Sequence, residues 1–165
     1  MFRPVVIIPC FNHADAFVTV AKRLTECKLP VIVVDDGSEE KQAKKLQLTC
    51  QNCGYTYIKR DQNGGKGAAM LTGFREAINQ GFTNAIQIDA DGQHDINDIP
   101  NFVTLAKKYR EALIVGQPVY DSSAPKSRLI GRKITNFWVA IETLNCHMPD
   151  AMCGFRYRTP YVKIV

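Results

Sequence analysis

Short apolar runs alternate with longer stretches of helical spacing from the start of the chain. Residues 5–8 read Val-Val-Ile-Ile. Being β-branched and apolar on both faces, they predict a buried strand of the kind found in parallel sheets. Pro9 is expected to end it. Over 14–28 the apolar residues Ala14, Phe17, Val18, Ala21 and Leu24 recur at helical spacing. Pro30 opens a second buried strand at 31–34. Asp35-Asp36-Gly37-Ser38 stops that strand, and Ser38 is expected to cap a helix that runs to about Cys50. A third strand falls at 55–58, followed by a glycine-rich loop at 63–67 and a helix at about 67–79. A fourth strand at 85–88 ends in Asp89. Pro100 suits the first turn of the next helix, where its missing N–H costs nothing; that helix runs to about Tyr109 and a fifth strand follows at 112–115. Strand and helix thus alternate throughout. The pattern predicts an α/β fold, a three-layer sandwich with a mostly parallel central sheet.

Composition narrows the picture. The chain has 165 residues, 45% of them hydrophobic and 22% charged. That is the size and balance of one globular domain and excludes collagen-like, mucin-like and wholly disordered chains. No apolar run approaches the ~18 residues of a membrane-spanning helix. The N-terminal apolar run is too short for a signal peptide, so a cytoplasmic protein is expected. Six cysteines are present, but only Cys50 and Cys53 form a CxxC. There is no second pair at zinc-like spacing, and the CxxC does not follow a strand as a redox motif would. Free structural thiols are expected.

The net charge of +5 is unevenly distributed, with Lys126, Arg128, Arg132 and Lys133 close together and no acid among them. Such a patch suits an anionic partner: a phosphate, a lipid head group or nucleic acid. Nucleic acid ranks last, because the patch is local and lacks interleaved aromatics. Residues 118–127 read as a loop rich in Pro and Ser. Over 128–144, Ile130, Ile134, Phe137, Ile141 and Leu144 fall on one side of an amphipathic helix. It either packs on the sheet or lies at a membrane surface, with Trp138 and the basic run 126–144 against anionic lipid.

Ligands of open α/β sheets bind outside the carboxyl ends of the strands, and polar residues collect there. The fourth strand is followed by Asp89-Ala90-Asp91-Gly92-Gln93-His94. Two carboxylates at this spacing can converge on one hard cation, Mg²⁺ or Mn²⁺, which prefers oxygen ligands and keeps positions for substrate phosphates. Gln93 is a candidate neutral oxygen ligand. The alternative is a solvated acidic turn. Asn63-Gly64-Gly65-Lys66-Gly67 lacks the spacing of a Walker A loop; its glycines allow close approach of backbone to ligand, and Lys66 at a helix start can meet an anion. Of Asp35 and Asp36, one is expected to cap the helix next to Ser38 and the other to accept from a base N–H or a ribose hydroxyl.

Together these segments, with Ile7-Ile8-Pro9-Cys10-Phe11-Asn12 and Cys153-Gly154-Phe155-Arg156, resemble the family 2 glycosyltransferases of GT-A fold over nearly the whole chain. The resemblance is greatest to the polyprenyl-phosphate sugar synthase branch, which includes the dolichyl-phosphate mannose synthases. It implies a nucleoside-diphosphate sugar as donor, a polyprenyl-phosphate or other lipid-linked acceptor, and inversion at the transferred sugar. It also implies peripheral membrane contact at the inner face. By position, Pro9, Asn12 and Asp36 would lie around the base, and Gly64, Gly65 and Lys66 along the nucleoside. Asp89 would lie near ribose or metal, and Asp91 with Gln93 would hold the metal. Arg156 would face the phosphates or the acceptor. Asp150, just before Met152-Cys153-Gly154-Phe155-Arg156, stands where a general base would be useful for a hydroxyl acceptor. Family members usually continue past this segment with helices that close the acceptor side. The chain therefore reads as a single nucleotide-sugar-binding domain over 1–165 that ends short of that side. Two other readings stand beside this one: a nucleotide-sugar-binding fragment without transfer activity, and a sugar nucleotidyltransferase. The latter would carry a glycine-rich loop with Arg after the first strand, where this chain has Pro9-Cys10-Phe11-Asn12.

Overall fold

The computed structural model describes residues 2–109 and 112–116, together with the backbone of 156–158. The chain divides into two compact units, Met1–Ile114 with Phe155–Val165, and Val115–Gly154. The second lies almost wholly outside the described residues, as do the 118–127 loop and the 128–144 helix expected from the sequence.

The predicted alternation is present. The first unit runs β1 (Pro4–Cys10), α1 (Ala14–Leu24), β2 (Val31–Asp35), α2 (Glu40–Cys53), β3 (Thr56–Lys59), α3 (Gly65–Asn79), β4 (Asn84–Gln87) and α4 (Ile99–Lys108). After these come β5 (Ile114–Val115) and β6 (Arg156–Arg158), and the sheet order is β3-β2-β1-β4-β6-β5. β1 pairs in parallel with β2 and with β4, and β2 in parallel with β3. β6 joins β4 antiparallel, with Gln87 opposite Arg156. The sequence pattern does not announce β6, because Arg-Tyr-Arg has no apolar run.

Three local expectations are corrected. Pro9 does not end β1; it pairs with Val34 inside the strand. The backbone groups of Val6 and Cys10 point to β2, and the carbonyl of Ile7 points to β4, where it accepts from the N–H of Ile88. Pro9 shares the direction of Ile7, but β4 has ended at Gln87, so its missing N–H removes no ladder bond. Ser38 does not cap α2. Its hydroxyl accepts from the N–H of Asn12 at 2.9 Å, and Asn12 Oδ1 in turn accepts from the N–H of Glu39 at 2.9 Å. Lastly, α3 begins at Gly65 rather than 67, so the glycine-rich segment supplies its first turn.

The sheet is buried on both faces. Val5, Ile7, Ile32 and Val34 pack against Ala69, Met70, Phe74 and Ala77 of α3. Val6, Ile8, Val31 and Val33 on the opposite face are equally buried, and α1 and α2 pack side by side. The closest contact on the α3 side is at Gly73. A Cβ there would stand 2.5 Å from Ile7 Cγ2 and 3.3 Å from Val34 Cγ2. Both neighbours are fully buried and cannot retreat. Gly→Ala in a helix ordinarily stabilises by about 1 kcal/mol. Here Gly73→Ala is expected to destabilise by about 1–3 kcal/mol, measured as the shift in urea midpoint. A stabilising shift would contradict this packing.

Candidate active site

A cleft of about 280 Å³ opens at the carboxyl ends of the central strands. β1 and β4 are neighbours although they are distant in sequence, and β2 lies on the other side of β1. The cleft therefore forms at the point where strand order reverses, which is where open α/β sheets bind ligands. Its walls come from four segments. After β4 stand Asp89, Ala90 and Asp91; after β2, Asp36; at the start of α3, Asn63, Gly65 and Lys66; and around the end of β1, Pro9, Cys10 and Phe11.

Asp35 and Asp36 have separate duties. Asp35 is fully buried; its Oδ1 accepts from the N–H of Ser38 at 2.9 Å and its Oδ2 from the hydroxyl of Tyr57 at 2.7 Å. It braces the turn. Burial first, then Asp35 itself, push the Tyr57 phenol well above its usual pKa, so Tyr57 remains a donor. Gly37 takes φ +76° in that turn, and a Cβ on it would meet the N of Asn63 at 2.6 Å. Only glycine lets the two loops touch. Asp36 faces the cleft. Its Oδ1 is paired with Arg60 Nη1 and accepts from the N–H of Gly64 at 3.1 Å.

At the β4 end, Asp89 has two basic side chains beside it. Lys66 Nζ lies 2.6 Å from Oδ1 and His94 Nε2 lies 3.3 Å from Oδ2. Burial works to raise the Asp89 pKa, but His94 and Lys66 outweigh it and hold the carboxyl at about 2. This lowered pKa carries a stability consequence. A carboxyl depressed from its ordinary value of 3.8 contributes stability that is complete above the unfolded pKa and is lost as pH falls toward the folded one. The stability difference between the parent and Asp89→Asn should be constant above about pH 5 and shrink between about pH 4 and pH 2. Denaturant midpoints across that range read it, and a difference that grows on acidification would contradict the ion pairs. The neighbouring thiol of Cys10 is pushed up to about 11, chiefly by burial. It stays protonated at neutral pH and is no nucleophile.

The donor set suits a hard divalent cation. Asp89 Oδ1 is buried, and its contact with Lys66 is an ion pair rather than an aligned hydrogen bond. Asp91 is exposed beside it; its Oδ1 accepts from the N–H of Gln93 at 3.0 Å. Two carboxylates at the edge of a cleft would leave positions on such an ion for phosphate oxygens. Asp89 and Asp91 are the residues that fit such an ion.

Of the residues singled out from the sequence, Pro9, Asp36, Gly65, Lys66, Asp89 and Asp91 line the cleft. Three others are not among its lining residues. Asn12, in the left-handed region at φ 54°, ties the first loop to the second. Gly64 supports Asp36. Gln93 is exposed and contributes its backbone N–H to Asp91. Arg156 is placed by its backbone opposite Gln87, next to the strand that carries the acidic pair. Asp150 lies outside the described residues. Cys10, Phe11 and His13, whose clustering after the first strand was visible, also line the cleft. Arg60 had no sequence signal.

The chain matches the family model "Glycosyl transferase family 2" over residues 5–158. Polyprenol monophosphomannose synthase of Mycolicibacterium smegmatis is 31% identical over 93% of this chain and 60% of its own length. UDP-N-acetylglucosamine–dolichyl-phosphate N-acetylglucosaminyltransferase of Methanococcus voltae is 27% identical over 92% of this chain and 67% of its own. Among solved structures, glucosyl-3-phosphoglycerate synthase of Mycobacterium tuberculosis, held with Mn²⁺ and UDP, superposes with a TM-score of 0.67. That match covers 96% of this chain and 57% of the other at 16% identity. A mannosyltransferase of Pyrobaculum calidifontis, in complex with GDP-mannose and Mn²⁺, superposes with a TM-score of 0.62 at 21% identity, over 71% of this chain and 36% of its own. These neighbours share the GT-A fold. The chain spans between about a third and two thirds of the length of these four proteins.

Proposed function

The chain belongs to glycosyl transferase family 2, and from that premise we propose that it binds a nucleoside-diphosphate sugar and passes the sugar, with inversion, to a polyprenyl-phosphate acceptor at the inner face of a membrane. One observation carries the reading. A single cleft is lined by Lys66, Asp89 and Asp91 and by the buried carboxylate Asp36. The relatives named above, with polyprenol and dolichyl-phosphate in their names, support the acceptor class.

Asp91 and Asp89 would hold Mg²⁺ or Mn²⁺ against the diphosphate. When bound, such an ion neutralises the leaving nucleoside diphosphate as a Lewis acid, worth several kcal/mol. The chain's own groups do the rest. Lys66 lies at the start of α3, where its ammonium and the helix dipole both favour an anion. Donor phosphate would draw Lys66 from Asp89, leaving that carboxylate to the ion or to a ribose hydroxyl. Asn12, Ser38 and Gly64 keep the base-side loops in register without entering the cleft. Arg156 would add positive charge near the phosphates or the acceptor. An acceptor phosphate is already ionised and needs no general base; Asp150 would serve a hydroxyl acceptor. Residues 126–144 would supply the membrane contact. Among the described residues no helix is long and apolar enough to cross a membrane.

Calorimetric titration with UDP, GDP and CMP, each with and without Mn²⁺, tests donor binding. Metal-dependent binding of a nucleotide is the expected result, and failure of all three overturns the proposal. Transfer of labelled sugar to polyprenyl phosphate in detergent then separates an enzyme from a binding protein.

A further inference from the structure

We propose that Lys66 is an internal counter-ion of the acidic pair: it is paired with a carboxylate oxygen of Asp89, and a divalent cation takes that oxygen only once a diphosphate draws the lysine off. Metal and donor then bind as a coupled pair, each weakly without the other. The proposal rests on the donor-site reading above and adds the order in which the site fills.

Lys66 is the second residue of α3 and Asp89 follows β4, so the fold and not the local chain brings them together. Nζ stands 2.6 Å from Oδ1. That oxygen is buried and takes no aligned hydrogen bond, so charge is what holds the ammonium there. Oδ2 has His94 Nε2 at 3.3 Å. Both oxygens of Asp89 thus have a basic group beside them. Asp91 differs. It is exposed, and among the described residues no ion pair reaches it.

An ion ligated by Oδ1 at about 2.1 Å would stand within about 5 Å of the ammonium as it lies. Like charges that close repel strongly in a partly buried site. The two cations therefore compete for one oxygen.

Lys66 is also the partner able to leave. Its side chain is 50% exposed, against 24% for Asp89, and it lines the same cleft as Asp91. Its ammonium is carried on a flexible stem. A diphosphate offers it several charged acceptor oxygens, a stronger partner than one carboxylate oxygen. The first turn of α3 favours an anion in the same place. Once Lys66 turns to phosphate, a buried carboxylate oxygen is left without a partner, which is unfavourable until a cation takes it. The coupling is reciprocal: a metal that takes Asp89 leaves Lys66 to the phosphates. If Lys66 rests on Asp89 in about nine-tenths of the nucleotide-free molecules, the apparent metal affinity is lowered about tenfold.

The test is Mn²⁺ binding, read from the electron paramagnetic resonance signal of the free ion. It is measured without nucleotide and with UDP or GDP, whichever binds more tightly, corrected for Mn²⁺ held by the nucleotide in solution. Without nucleotide, Lys66→Met is expected to bind Mn²⁺ at least about tenfold more tightly than the parent. The factor by which nucleotide tightens Mn²⁺ binding should fall by a similar amount. Lys66→Gln keeps a hydrogen-bond donor for Asp89 without the charge and should behave like Lys66→Met; thermal melting checks that both fold. In an Asp89→Asn background, Lys66→Met should change Mn²⁺ affinity less than about threefold, because the contested carboxylate is gone. An undiminished gain there is a long-range charge effect and overturns the inference. Parent-like Mn²⁺ affinity in both Lys66 variants also overturns it, as does a parent that binds Mn²⁺ equally tightly with and without nucleotide. Each of these leaves the donor site standing. A parent that binds neither Mn²⁺ nor nucleotide, alone or together, overturns both readings.

Discussion

Asp91→Ala is expected to weaken Mn²⁺-dependent nucleotide binding by about 100-fold or more, with global stability changed by no more than about 0.5 kcal/mol. The asymmetry follows from position. Asp91 is exposed, and among the described residues it makes one local hydrogen bond, accepting from the N–H of Gln93. Little of the fold depends on it. The cleft loses a full negative charge where the proposed cation and diphosphate would meet. Asp91→Asn is the sharper variant, because the amide oxygen can still accept from Gln93 while the charge is gone. It should bind almost as poorly as Asp91→Ala. If Asp91→Asn binds Mn²⁺ and nucleotide like the parent, the carboxylate is not a ligand and the metal assignment falls. Nucleotide binding measured without metal supplies the baseline. Both variants should sit near it, since the contacts at the Asp36 end are untouched.

The second large effect is on stability and falls two strands away, at the end of β2. Asp35→Ala should destabilise the protein by about 2–4 kcal/mol, because it strands the N–H of Ser38 and the hydroxyl of Tyr57 without acceptors in a buried site. Tyr57→Phe removes a donor along with its bond and should cost about 1–1.5 kcal/mol. The pair should be clearly non-additive: in Asp35→Ala/Tyr57→Phe the hydroxyl that Asp35→Ala strands is no longer there. Equilibrium unfolding in urea measures all three. A loss below about 1 kcal/mol for Asp35→Ala would mean that water or another group satisfies the turn. The consequences should reach the cleft, because Ser38 also holds Asn12, and Asn12 holds Glu39. Nucleotide affinity should therefore fall in Asp35→Ala even though Asp35 does not line the cleft.

Adjacent residues of the same type thus carry different work, and the sequence shows only part of why. Val33-Val34-Asp35-Asp36 is a buried strand running into polar residues, and that much is legible from hydropathy. One of the two acids was expected to cap α2, but the helix has no side-chain cap and Asp35 braces the turn before it instead. Which of the two braces it depends on the register of β2 with β3, where Asp35 stands opposite Lys59 and its carbonyl accepts from the N–H of Arg60 at 2.8 Å. That register brings Arg60 to Asp36. Nothing in the local pattern around Arg60 distinguishes it from other surface arginines. Pro9 misled for a related reason. A proline ends a strand when its missing N–H would break a ladder, and whether a neighbour runs alongside is a property of the sheet.

The sequence alone determined the alternation of strands and helices, the burial of the sheet on both faces, and the segments that gather at the carboxyl ends of its strands. These follow from short-range physics: β-branched runs favour buried strands, helical spacing of apolar residues demands a covered face, and polar or glycine residues end each element. Only the tertiary structure decided which segments meet. β1 lies between β2 and β4, and that order brings Asp36 and Asp89 to opposite ends of one cleft with Lys66 against the second. β6 returns from the far end of the chain to pair with β4. Strand order and register are set by the packing of whole layers and by the handedness of their crossovers, so they depend on contacts between residues far apart in the chain, which local pattern does not encode.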